Sequence, residues 1–440
     1  MQIALKIPER LKMDITLPTS KSVSNRVLLL QALCPKAEFP IRNLAICDDT
    51  EHMLQGIAAK RAGAPLIDIG ATGTAMRFLT AYLAITEGTV TLTGSERMQQ
   101  RPIGTLVDAL RKLGADITYT NKEGYPPLCI CGKQLQGGEI EIEAGISSQY
   151  ISALLMIAPR LTNGLTLHLK GDIASRSYIE LTLDLMRKYG ATAEWSNGQT
   201  IRVNPGCYKD IPFTVEGDWS AASYWYEIAA IATHKGHEVD ILLQGLTLDS
   251  HQGDRVVAEI FSPLGVESLE SGENQTIRLC SQPSSLNIQH SDEAHQPTNT
   301  KEVLNLDFTH CPDIAQTLAV TCCLLDIPFI FKGVHSLRIK ETDRITALIT
   351  ELQKLGFVLH AEGNELLIWD GTRCKPDNNP VIATYDDHRM AMAFAPAALC
   401  YDNLTIAHPE VVTKSYPDFW EHLNELATKS QRFITKNSSF

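Results

Sequence analysis

No apolar run in the sequence is long enough and clean enough to cross a membrane. The most apolar stretch, residues 314–331, is interrupted by Gln316, Asp326 and Pro328 and reads as a buried helix, a turn and a strand. The first eighteen residues, MQIALKIPERLKMDITLP, alternate and are broken by charge, unlike the apolar core of a secretion signal. Positive charge is scarce: 39 Lys and Arg stand against 51 Asp and Glu, a formal net charge of -12. That argues against nucleic acid as a partner, while a local basic pocket for small anions remains compatible with it. The phosphate-loop signature and the Gly-x-Gly-x-x-Gly fingerprint are both missing. The eleven cysteines are scattered, and the Cys129/Cys131 pair lacks the four ligands and wider spacing of a zinc site. They read as reduced, mostly buried thiols of a cytoplasmic protein, with Cys129 and Cys131 on one side of a strand.

The 440 residues exceed one ordinary core, and the composition is 44% hydrophobic and 20% charged, so a globular protein of two domains is expected. A loose repeat organises them. Six mostly apolar helices are predicted, in SVSNRVLLLQALC, TAMRFLTAYLAI, SQYISALLMIAPRL, SAASYWYEIAAIA, PDIAQTLAVTCCLLD and DHRMAMAFAPAALC. Each is apolar or small on most faces, which marks a helix inside a core, and each is followed by a strand-like run. A second helix type, as in LVDALRKLGADITY and LITELQKLGFVLH, carries apolar residues at spacings of three and four and stops at a glycine. HMLQGIAAKRAGAPLIDI is a weaker copy, and PDFWEHLNELATK is a last helix with no strand after it.

Three repeats per lobe give two α/β lobes with buried helices. The expected division is 20–215 for one lobe and 1–19 plus 216–440 for the other, with the N-terminal strand pairing in the second. The polar segment 281–300 reads as an exposed loop.

The starts of the buried helices are polar: Lys21 and Ser22; Gly73 and Thr74; Ser147, Ser148 and Gln149; Ser220; Asp313; Asp387, His388 and Arg389. A helix N-terminus presents free N–H groups and partial positive charge, which suits phosphates and carboxylates. Taken singly, each of these starts reads as ordinary capping. Basic residues gathered beside them shift the balance toward anion binding: Lys21, Arg26, Arg77, Arg101, Lys340, Arg344, Arg389 and Lys414. Ser22 and Arg26 lie four apart, on one helix face. Gly70 and Gly73 would let a ligand approach the backbone. Asp313 is an N-cap by default and a proton acceptor if its geometry allows.

Eight segments, in order, carry a resemblance that spans nearly the whole chain: LPTSKSVSNR, GTAMRF, RMQQRPIGTLVDALRKLGA, SSQYISALLM, SRSYI, RIKETDRI, YDDHRMAMAF and TKSYPDFW. Together they resemble the 5-enolpyruvylshikimate-3-phosphate synthase family of enolpyruvyl transferases. The resemblance implies the two-lobed enolpyruvyl transferase fold, an inside-out, barrel-like arrangement with the active site in the cleft between lobes that close on substrate. It implies transfer of the enolpyruvyl group of phosphoenolpyruvate to the 5-hydroxyl of shikimate 3-phosphate, by addition and elimination with release of phosphate. It implies a monomer with no metal and no organic cofactor.

By resemblance, shikimate 3-phosphate falls to Lys21, Ser22, Arg26, Ser147, Ser148, Gln149, Ser175, Asp313, Ser336 and Lys340. Phosphoenolpyruvate falls to Lys21, Gly73, Arg101, Gln149, Arg344, His388, Arg389 and Lys414. Asp313 would take the hydroxyl proton, Glu341 would protonate the methylene carbon, and Lys21 would share the acid–base work. Arg338 and Asp343 would be structural.

The chain departs from the common pattern at Ala71, Thr72, Phe78, Ser177 and Ser336, and around residues 55–70, which are fewer than usual. These changes bear on cleft shape and on the response to glyphosate, the family's inhibitor. One rival is the enolpyruvyl transferase that acts on UDP-N-acetylglucosamine, which should carry a loop cysteine and lack KETDR and DHRMAM. The other is a non-catalytic binding protein, which loss of Lys21, Asp313 or Glu341 would have favoured.

Overall fold

The computed structural model describes residues 1–429 except 4, 6, 7, 146, 174, 273, 274 and 287–301. Its contacts divide the chain into two compact units, Met1–Pro18 with Gly217–Phe440, and Thr19–Glu216. Each has its own apolar core; one runs from Ile3 through Leu17 and then from Trp219 to Ala427, the other from Val23 to Val215. Where the chain leaves and re-enters a unit, a backbone bond closes it. Asp218 N–H donates to Pro18 C=O at 2.9 Å in the first, and Ser20 N–H donates to Glu216 C=O at 2.8 Å in the second.

The repeat expected from the sequence is a βαβαββ module. Residues 138–203 show it whole. Gly138–Glu143 is followed by the helix Ser148–Ile157 and then by Leu165–Lys170, parallel to the first strand. The helix Arg176–Lys188 leads into a hairpin, Ala193–Asn197 and Thr200–Val203, whose second strand pairs antiparallel with Leu165–Lys170. Strand alternation explains the half-buried sheet: in GEIEIE the isoleucines are buried and the glutamates of the strand face outward or nearly so. In the first helix every residue but Gln149 is buried, which the apolar sequence SQYISALLMI requires.

The same strand order recurs in three more four-stranded sheets. Two follow the chain without a break, at 66–132 and 304–369. The fourth is split. Its first strand is Arg10–Thr16, and its buried helix, Trp219–His234, comes only after the whole second unit has been inserted. The last module is completed in a similar way. Leu404–Ile406, flanked by the parallel strand Val381–Ile382, receives Gln2–Ile3 as its antiparallel neighbour. The helix Phe419–Lys429 therefore needs no strand after it in sequence. In the remaining module, Ile41–Arg42 pairs in parallel with Phe213–Thr214.

The amphipathic helices end as their glycines demand. Gly114, Gly190, Gly265 and Gly356 all have positive φ, between 86° and 100°. One expectation needs correction. Only four cysteines are buried, Cys47, Cys311, Cys322 and Cys323; the other seven are partly or fully exposed, although all eleven are free thiols. The polar 281–300 segment begins as the last residue of a strand, and most of it lies outside the described residues. Among the described residues no helix is long and apolar enough to cross a membrane.

One core residue breaks the pattern. Glu227 lies in the middle of Trp219–His234, is fully buried, and neither carboxylate oxygen has a hydrogen-bond partner among the described residues. Burial pushes its pKa well above the usual range. The folded state thus holds a proton that the unfolded state releases above about pH 4.3. The resulting cost is absent below that pH and grows as pH rises. Glu227→Met, close in volume, is expected to raise the unfolding temperature by a few degrees at pH 8 and by little at pH 4. An increment equal at both pH values in parallel thermal melts would contradict the assignment.

Candidate active site

Within Thr19–Glu216 four helix starts carry candidate residues. Ser20 caps Lys21–Leu33 by accepting from Val23 N–H, so Lys21 is the first helical residue. Its ammonium lies 3.3 Å from Asp49, at the start of the helix Asp48–Arg61. Arg26, one turn on, is buried. Its guanidinium donates to Thr182 Oγ1 at 2.7 Å, Ser22 C=O at 3.0 Å and Ser152 Oγ at 3.2 Å, and lies over the Phe78 ring. No carboxylate among the described residues pairs with it. Burial accordingly lowers its pKa to about 10. A buried guanidinium held only by neutral groups is a strong attractor for an anion.

Gly73 opens the second helix, Gly73–Ala84. A Cβ built on it would meet the Arg101 guanidinium at 2.7 Å, so Arg101 lies flat against the glycine. Among the described residues the Arg101 side chain has no hydrogen-bond or ion-pair partner, and its Nε is buried. Gln149, on the third helix, donates to Thr74 Oγ1 at 3.2 Å, while Ser147 caps that helix by accepting from Gln149 N–H. The structure thus assembles Gly73, Arg101 and Gln149, which the sequence could only name separately. Ser148 is buried at the first helical position. Ser175 sits at the N-cap of Arg176–Lys188 with φ 54° and makes no capping bond with its hydroxyl.

The unit containing residues 217–440 holds a different kind of cluster, in which every cation meets a carboxylate. Arg344, 1% exposed, is its centre. The guanidinium donates to Asp387 at 2.7 Å, Asp313 at 3.0 Å and Glu341 at 2.8 Å. Burial lowers its pKa, but Asp387, Glu341 and Asp313 outweigh that and raise it overall. Lys340 and Arg389 each lie 3.4 Å from Asp313, and Lys414 donates to Glu341 at 2.8 Å. His388 is buried, its Nδ1 3.7 Å from Asp387. Ser336 is buried on the His335–Ile339 turn that leads to Lys340.

Local capping places these groups. Asp343 accepts from Ile345 and Thr346 N–H and pairs with Arg338 at 3.0 Å, fixing the start of Arg344–Lys354. Asp387 caps His388–Phe394 by accepting from Arg389 N–H. Asp313 is not a cap: it lies in the Pro312–Ile314 turn, and its carboxylate faces Arg344, Lys340 and Arg389.

Two acidic residues escaped sequence reasoning. Asp49 faces Lys21, and only its position in the first turn of a helix could have drawn attention to it. Asp254 is buried, accepts a short hydrogen bond from Ser220 Oγ, and shares Ser220 with Arg389. Burial, and then the charge of Asp313, raise its pKa to about 6. It stands in the short 3-10 turn Gly253–Val256, with no sequence pattern to mark it.

Repeat-built α/β units carrying uncompensated guanidinium groups in one and a lattice of cations and carboxylates in the other define a protein for small, multiply charged anions, with acid–base groups at hand. The chain belongs to the EPSP synthase (3-phosphoshikimate 1-carboxyvinyltransferase) family, whose model matches residues 5–63 and 60–423. The two matched stretches meet at 60–63, inside the segment that the sequence marked as short. It is 51% identical over 427 residues to the 3-phosphoshikimate 1-carboxyvinyltransferase of Bacteroides fragilis, covering 97% of this chain and 98% of the relative. It is 38% identical over 439 residues to the protein of that name from Photobacterium profundum, covering 94% and 96%. The fold is similar to that of the EPSP synthase of Acinetobacter baumannii, with a TM-score of 0.74 at 20% identity over 97% of this chain and 98% of that one.

Proposed function

We propose that the chain transfers the enolpyruvyl group of phosphoenolpyruvate to the 5-hydroxyl of shikimate 3-phosphate and releases phosphate. Family membership gives the reaction class. The observation that carries the residue assignment is the placement of Asp313 and Glu341 on one buried guanidinium, Arg344. Two carboxyl groups are needed: one accepts the hydroxyl proton as oxygen attacks C2 of the donor, and the other protonates C3. Elimination reverses the second transfer, and the proton first taken from the hydroxyl leaves with phosphate. Asp313 takes the first role and Glu341 the second, with Lys21 sharing the acid–base work.

Each phosphate carries about -1.5 to -2 charge near neutrality, so both substrates need cations. Shikimate 3-phosphate is assigned to Lys21, Ser22, Arg26, Ser147, Ser148, Gln149, Ser175, Asp313, Ser336 and Lys340. Phosphoenolpyruvate is assigned to Lys21, Gly73, Arg101, Gln149, Arg344, His388, Arg389 and Lys414. Among the described residues neither Arg101 nor Arg26 has a carboxylate partner, which supports these assignments. The cations held by Asp313 and Glu341 must be shared with an incoming phosphate. As they turn toward it, each carboxyl loses the charges that stabilise its ionised form and becomes better able to hold a proton. The enzyme acts as a cytoplasmic monomer.

Phosphate release from phosphoenolpyruvate, measured with shikimate 3-phosphate and in parallel with UDP-N-acetylglucosamine, tests the function. Release with the first acceptor alone is expected; release with the second, or with neither, would overturn it. Gly73→Ala probes the donor assignment. The added methyl meets Arg101 and must displace its guanidinium, so KM for phosphoenolpyruvate is expected to rise about tenfold, equivalent to roughly 1.4 kcal/mol. KM for shikimate 3-phosphate should change much less. Equal effects on both substrates would contradict the placement.

A further inference from the structure

Arg101 has no side-chain partner among the described residues, so its direction depends on the backbone that carries it. That backbone is held on both sides of the side chain. The Pro102 carbonyl accepts two hydrogen bonds, from Tyr150 Oη at 2.6 Å and from Arg77 Nη2 at 3.0 Å. Both donors are buried, Tyr150 at 2% and Arg77 at 3% exposure. The Arg77 guanidinium also lies over the Tyr150 ring, 6.0 Å from its centroid, and donates to Gly73 C=O at 3.2 Å and Met98 Sδ at 3.3 Å. Arg101 N–H in turn donates to Met98 C=O at 3.0 Å. Pro102 restricts the backbone of the residue before it, which is Arg101.

We infer that Tyr150 is a positioning residue for the donor-binding guanidinium: its hydroxyl, with Arg77, fixes the Pro102 carbonyl and so holds Arg101 against Gly73. The Tyr150 hydroxyl is committed to the Pro102 carbonyl. Tyr150 follows Gln149 directly, so a single helical turn holds two parts of the donor site. Gln149 reaches Thr74, beside Gly73, and Tyr150 reaches Pro102, beside Arg101. The inference rests on the reading of Arg101 as a phosphoenolpyruvate ligand.

The test is a mutant cycle with steady-state kinetics for both substrates. Tyr150→Phe keeps the ring beneath Arg77 and removes only the hydroxyl. It is expected to raise KM for phosphoenolpyruvate about fivefold to tenfold, the effect of one hydrogen bond, with kcat and KM for shikimate 3-phosphate within roughly twofold of the parent. Arg101→Ala should raise the same KM further. The double variant should match Arg101→Ala alone, because the hydroxyl has nothing left to position. An unchanged KM in Tyr150→Phe, a parallel decline in all constants, or additive effects in the double variant would each overturn the inference. If Arg101→Ala itself leaves KM for phosphoenolpyruvate unchanged, the ligand reading fails first, and the inference with it.

Discussion

Glu341→Gln is expected to lower kcat by about 10²- to 10⁴-fold, the range for loss of a positioned acid–base group. The amide can still accept a hydrogen bond from Arg344 or Lys414, so the local packing survives. It has no proton to deliver to C3 of the donor. It also removes one negative charge from a cluster in which Lys414 and Arg344 each spend a hydrogen bond on Glu341. Those cations become more available, so KM for phosphoenolpyruvate should stay level or fall. A loss of kcat with binding preserved separates a chemical role from a structural one. Near-parental turnover would remove Glu341 from the proton path.

Arg344→Met should damage the fold as well as the reaction. The guanidinium is 1% exposed, and Asp387, which caps the next buried helix, is fully buried beside it. Methionine fills much of the space and supplies no charge. Asp313, Glu341 and Asp387 would then face one another across a site short of one cation. Breaking a buried ion pair from one side typically costs about 3–5 kcal/mol. Denaturant unfolding should therefore show a loss of that order, together with activity lost beyond what destabilisation explains. A variant with parental stability would mean that the carboxylates find other partners, and that Arg344 is not the centre of the cluster.

The repeat was legible because its signal is chemical and periodic. A helix such as SQYISALLMI, with no polar face, can only sit inside a core, and the glycines that end the amphipathic helices mark the turns. The circular completion of the modules was harder to see. The sequence placed an N-terminal strand in the second lobe, and Arg10–Thr16 does pair there, but nothing in MQI says that it will lie beside Leu404–Ile406. Strand pairing over such distances is fixed by tertiary context rather than by local pattern. At the site, the cations could be named from the sequence because basic groups beside buried helix starts are conspicuous. Their carboxylate partners could not. Asp254 lies in a 3-10 turn of four residues, too short for periodicity, and Asp49 looks like any acidic residue in a first helical turn. Asp313 was open between cap and acid–base group; the structure removes the cap, with Arg344, Lys340 and Arg389 around its oxygens. The contrast between paired and unpaired arginines was likewise beyond sequence, since it depends on which carboxylates the fold brings near.

The claim at the centre of this account is that Glu341 adds a proton to C3 of the donor and later removes one. Addition makes C3 a methyl group, and elimination takes back any one of its three hydrogens. With both substrates in deuterium oxide, deuterium should therefore enter the methylene group of phosphoenolpyruvate and of the product, as read by proton NMR. The Glu341→Gln variant, loaded with both substrates, should show little exchange. Turnover without deuterium at C3, or exchange in the variant at the parental rate, would contradict the account.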